Sequence, residues 1–191
     1  MALATCANHF VSTEWTPNLE DMVRSWALKS VIQRELHHHA AKYYKTWSTR
    51  LSMPVILLTT LTSVGSFGAV DSEQYKMWMY ATGGLNLVSA FLASMMKYLK
   101  PDERCATHSR MSKMFDAYYR DLTVQLNLSP QERSHPETVI ETYKTRLETL
   151  IDESPLISDT LTKETMEKHN ICPPNDFCIN IYGRDLESRP I

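Results

Sequence analysis

Twenty residues from Leu51 to Val70, and twenty more from Met77 to Met96, contain no charged side chain. An α-helix rises about 1.5 Å per residue, so each window is roughly 30 Å long, the thickness of the hydrocarbon core of a bilayer. Soluble helices of this length carry a charged stripe toward water, and neither window has one. The pattern predicts two transmembrane helices, 51–70 and 77–96. The turn between them, residues 71–76 with the sequence DSEQYK, is short enough to force the helices side by side and antiparallel.

The flanks fit that expectation. Tyr43, Tyr44 and Trp47 precede the first window, Tyr75, Trp78 and Tyr80 surround the turn, and Tyr98 follows the second. Aromatic rings with a polar edge settle at headgroup level. Lys42, Lys45 and Arg50 lead into the first window and Lys97, Lys100 and Arg104 leave the second, whereas the turn carries two acids against one base. Basic residues stay on the cytoplasmic side, so the expectation is a two-pass integral membrane protein with both termini there. Its expected membrane-interface residues are Trp47, Arg50, Tyr75, Trp78, Lys97 and Tyr98.

The windows are rich in small and hydroxyl residues. Thr59, Ser63 and Ser66 share one face of the first; Gly83, Asn86 and Ala90 lie close together on the second. In lipid, small residues let helices approach, and hydroxyls or amides bond across the contact. These six are expected either to pack helices, including those of a homo-oligomer, or to line a pore. Neither window holds an acid or base that would form a charged ring, which weighs toward packing. Pro54 is expected in the first turn of its helix, where its missing N–H costs nothing.

Outside the windows the chain reads as all-α. After an N-terminal arm, 1–16, Thr16-Pro17 marks the start of a leading helix over 17–50, with Leu28, Ile32, Leu36, His39 and Tyr43 as its apolar stripe. The region 97–169 is expected to be helical. A second long helix starts near Pro101, with a seam of Met111, Met114, Phe115, Tyr118, Leu122 and Leu126. Ser129-Pro130-Gln131-Glu132 is a capping box that predicts a short helix. Ile140, Tyr143, Leu147, Leu150 and Ile151 mark a further one, and Ser158 to Lys168 the last. The tail, 170–191, loses periodicity and is expected to be extended, its two thiols Cys172 and Cys178 either free or bridged.

Several function classes drop out. A net charge of −2 gives no footprint for nucleic acid. The four cysteines form no C-x-x-C pair, so no structural metal is expected. His37, His38 and His39 are consecutive; helical residues point about 100° apart, so three in a row do not converge on one ion and are expected to form an interfacial or partner-facing patch. No P-loop, G-x-S-x-G or H-E-x-x-H occurs, so neither an enzyme nor a cofactor is expected. The N-terminus lacks the basic leader and apolar core of a cleavable signal peptide.

Trp47 with Leu51-Ser-Met-Pro54, Gly65, Tyr80, Gly83-Gly84, Tyr98-Leu-Lys-Pro-Asp-Glu103, His108, Leu128-Ser-Pro-Gln-Glu-Arg133 and Ser154-Pro155-Leu156-Ile157 follow one another in an order and spacing that resembles the SLATT family over roughly residues 40 to 165. The resemblance implies a two-helix membrane hairpin with a helical cytoplasmic extension. Bacterial members are thought to be pore-forming defence effectors; similar proteins occur in large DNA viruses of eukaryotes, which this chain resembles more. It implies an oligomeric protein of a virion's internal membrane, tied through its tail to capsid or membrane-associated proteins.

Overall fold

The structure is a computed structural model that describes residues 14–68 and 75–168, with side chains described for 14–64 and 76–168. Five helices follow one another: α1 Pro17–Gly68, α2 Tyr75–Leu99, α3 Pro101–Asn127, α4 Pro136–Asp152 and α5 Asp159–Lys168. Among the described residues there is no strand, and the fold is all-α. The arm before Glu14, positions 69–74, and the tail with Cys172 and Cys178 lie outside the described residues.

The expected leading helix and first window are one uninterrupted helix. Thr16 opens it, with its hydroxyl accepting from the Leu19 N–H at 3.4 Å and its carbonyl from the Glu20 N–H at 3.1 Å. Pro54 therefore lies deep inside α1 and not in a first turn. A proline there removes one intrahelical hydrogen bond.

α3 returns antiparallel along α1. Rising numbers on α1 meet falling numbers on the return: Arg34 pairs with Asp116 at 3.0 Å, Ser48 donates to Asp102 at 2.6 Å, and Ser52 donates to Met96 Sδ at 3.8 Å. The α1 side of this seam is Val23, Ala27, Ser30, His37, Ala41, Ser48 and Thr62, all buried and all on the four-three spacing of a helical pair. The stripe expected from Leu28 to Tyr43 is a different face. Its middle, Ile32 and Leu36, packs on Met166 of α5, while Leu28 and Tyr43 are exposed. Small and polar residues took the main seam because they let α3 approach closely, and a search for large apolar residues passes over them.

The core of the bundle is Val23 and Ala27 against Met111, Phe115, Tyr118 and Leu122 of α3 and Leu147 and Leu150 of α4. The α3 seam thus stands as expected, with Met114 and Leu126 partly buried beside it. The Tyr118 hydroxyl donates to the Tyr143 carbonyl at 3.2 Å and joins α3 to α4, and burial pushes its phenol pKa up. Tyr118→Phe is expected to cost about 1 kcal/mol by leaving that bond unmade, read as a lower denaturation midpoint with an unchanged helical spectrum.

The Ser129-Pro130-Gln131-Glu132 segment forms neither the expected helix nor the reciprocal bonds of a capping box, but a turn closed by the Glu132 N–H on the Ser129 carbonyl at 2.9 Å. Ser129 Oγ donates to Glu132 at 2.8 Å, and Pro136 starts α4 before another helix can propagate. Arg133 leaves this turn to donate to the Leu126 and Leu128 carbonyls at the end of α3 and to Glu20 at 2.5 Å.

Candidate functional site

Two features stand out from the bundle: an apolar arm and a buried histidine pair. The arm consists of α1 beyond Arg50 and α2, lying against each other. Its side chains are of the kind that fill cores, yet Leu57, Leu61, Val64, Leu87 and Phe91 are each more than 60% exposed. The helical run from Lys76 contains a window long and apolar enough to cross a membrane, with 6% of it buried. It is the one such helix among the described residues; on α1 the described side chains of the first window end at Val64, short of a span.

The aromatic and basic residues expected at an interface sit at the ends of this arm. Trp47, Arg50, Lys97 and Tyr98 are exposed near the bundle, and Trp78 is exposed at the far end. From Trp78 to Tyr98 along α2 the helical rise is roughly 30 Å. The side chain of Tyr75 lies outside the described residues.

The six residues expected to pack or line a pore do not close α1 onto α2. Thr59, Ser63, Asn86 and Ala90 are exposed, and a Cβ placed on Gly83 would have no neighbour within 4 Å; the Ser66 side chain lies outside the described residues. Thr62 and Ser89, one position away from the expected faces, are buried between the helices instead. The heptad seam running up from His37 and Ser48 sets this rotation: seven residues per two turns carries it to Thr62 and leaves Thr59 and Ser63 outside. Their hydroxyls donate to carbonyls of their own helix, Thr59 to Val55 and Ser63 to Thr59, both at 2.8 Å.

The histidine triplet divides. His38 is exposed and His39 half-buried, 4.0 Å from Glu164, but His37 is buried in the bundle, contrary to the expectation of an interfacial or partner-facing patch. Position 37 falls on the α1 seam, and the fold supplies its partners from far along the chain. His37 Nδ1 lies 2.9 Å from Nδ1 of His108 on α3, and His37 Nε2 lies 2.5 Å from Ser154 Oγ, between α4 and α5. Phe115 stacks on His37 at 5.7 Å and Tyr44 on His108 at 5.5 Å. Two facing Nδ1 atoms can share one hydrogen, so the neutral pair is satisfied and a doubly charged pair is not. Burial, with the neighbouring imidazole second, lowers the His37 pKa to about 4; burial and then the Arg104 charge lower that of His108. Spacing could not reveal this cluster, because its members come from three separate segments. The one available signal was position 37 on the four-three register.

No protein-family model, curated protein or solved structure matches this chain. Its function rests on the arm and the bundle themselves. Among the described residues no three His, Cys, Asp or Glu side chains gather as metal ligands.

Proposed function

We propose that this protein is a two-pass membrane anchor. α1 and α2 insert as an antiparallel pair, and α3 to α5 with the lower half of α1 form a helical platform on the cytoplasmic or capsid-facing side. The observation that carries this reading is the contrast within one chain: the bundle buries its large side chains, while the arm leaves Leu57, Leu61, Leu87 and Phe91 open. Water would penalise such a surface by about 25 cal/mol per Å² of apolar area, and lipid removes that penalty. The base of the arm gathers Lys42, Lys45, Arg50, Lys97, Lys100 and Arg104, in agreement with the rule that cations stay on the cytoplasmic side.

The outward faces at Thr59 and Ser63, and at Gly83, Asn86 and Ala90, suit association with further copies, since an amide at mid-bilayer depth gains by meeting another polar group. On the reading that the residue pattern resembles SLATT proteins of large DNA viruses, such an assembly would sit in a virion's internal membrane and tie it to the capsid as a structural component. A pore-forming effector is the second reading, favoured by the outward position of the same hydroxyls. The helix carbonyls that accept from Thr59 and Ser63 satisfy the donor side of both hydroxyls within α1, which lowers the cost of facing lipid and supports the anchor.

Single-cysteine labelling tests the topology. In sealed vesicles, with the native cysteines replaced, an impermeant maleimide is expected to reach Glu73→Cys from one face and Lys45→Cys from the other. Labelling of both from the same face would end the two-pass reading.

A further inference from the structure

We propose that the break between α2 and α3 is a binding site for the phosphate headgroup of an anionic glycerophospholipid. The site rests on the membrane reading above and gives that anchor a lipid preference.

α2 ends at Leu99 and α3 begins at Pro101, leaving Lys100 alone between them at φ 45° and ψ 51°. Among the described residues it is the one non-glycine with positive φ, a conformation where glycine is the ordinary choice after a helix. Glycine there would fold with less strain, so the lysine is a candidate for a role other than making the turn. Lys100 and Arg104 line a cavity of about 300 Å³, together with Tyr98, Glu103, Thr107 and His108.

A second cleft, of about 470 Å³, shares Leu99 and Arg104 with the first and is walled by Tyr43, Trp47 and Leu51 of α1 and by Leu161 and the acid Glu164 of α5. Leu51 is where the apolar arm begins. The two cavities adjoin at Leu99 and Arg104, so the cations of the first lie next to an aromatic and aliphatic wall that reaches the base of the arm at Leu51, with Glu164 on the α5 side. That sequence of chemistry matches a phosphodiester followed by its glycerol and the start of an acyl chain, and basic pockets at the cytoplasmic ends of membrane helices hold such headgroups.

The cations have partners now that a lipid phosphate would replace or join. Lys100 Nζ lies 2.9 Å from Glu103 Oε2, an exposed pair, and Arg104 sits 5.8 Å over the Tyr44 ring. Glu103 lines the same cavity and acts against an anion. Asp102 is turned to Ser48 of α1, at 2.6 Å.

The test uses the full chain in phosphatidylcholine vesicles containing a minor fraction of brominated lipid, with tryptophan quenching as readout. Brominated phosphatidylglycerol is expected to quench at about tenfold lower mole fraction than brominated phosphatidylcholine. The double variant Lys100→Gln, Arg104→Gln should lose that preference, and Glu103→Gln should strengthen it. Lys100→Gly should weaken it while keeping or raising the melting temperature, which separates lost binding from lost folding. Equal quenching by both lipids in the wild-type chain, or a preference that survives the double variant, overturns the site and leaves the anchor standing. Loss of the preference on adding excess inorganic phosphate would assign the cavity to free phosphate and overturn the lipid. A chain that does not float with vesicles of either composition overturns the membrane reading and this site with it.

Discussion

Leu87→Arg is expected to move the protein from the membrane pellet toward the soluble or aggregated fraction after alkaline extraction. Leu87 is 75% exposed near the middle of α2, so an arginine there meets no protein neighbour able to satisfy it. A charged residue at the centre of a spanning helix costs about 2.5–3.5 kcal/mol on insertion scales. Combined with Leu57→Arg on α1, 62% exposed, the penalty is expected to exceed what the remaining apolar surface supplies. The bundle should be indifferent, because neither leucine touches it: the core around Phe115 and Tyr118 lies on the other side of the α2–α3 break. Retention of the double variant in the extracted pellet, with intact topology, would count directly against an arm immersed in lipid.

Acid is expected to loosen the bundle before the arm. His37 has its pKa lowered to about 4 in the folded protein, against about 6.5 for an unperturbed imidazole. Between those values the unfolded chain binds the proton more readily, so the stability from keeping His37 neutral is complete above about pH 6.5 and is lost as the pH falls toward 4. The difference corresponds to about 3 kcal/mol overall, of which about 2 kcal/mol is gone by pH 5. His108, lowered in the same direction by burial, adds to the slope. Thermal melts in detergent at pH 7 and pH 5 should show a clear drop for the wild-type chain and a smaller one for His37→Gln, whose amide can still bond but does not titrate. Equal drops in both proteins would remove the histidine pair from the explanation.

The helices were legible in the sequence because their signals are local. Thr16-Pro17, Pro101, Pro136 and the run to Lys168 mark helix ends that the structure reproduces within a residue or two, and the α3 stripe from Met111 to Leu122 is buried as its spacing requires. The rotation of α1 was not legible. Its seam is made of Ala27, Ser30, Ala41, Ser48 and Thr62, which on hydrophobicity alone look like surface, and the larger Leu28 and Tyr43 drew attention to the wrong face. The same rotation moved the contact inside the arm from Thr59 and Ser63 to Thr62. The His37–His108–Ser154 cluster was hidden for a different reason: its hydrogen bonds join residues 71 and 117 positions apart, and only tertiary packing brings them together.

α1 passes from bundle to arm as a single rod of 52 residues, roughly 78 Å from end to end, whereas the returning path is jointed at Lys100. A torque applied to the platform end of the rod reaches the faces carrying Thr59 and Ser63 through continuous helix, with Pro54 and its one missing hydrogen bond as the point of least stiffness on the way. A change in the tilt of α2 would turn about Lys100 and would have to slide past the α1 contact at Ser52, Thr62 and Ser89.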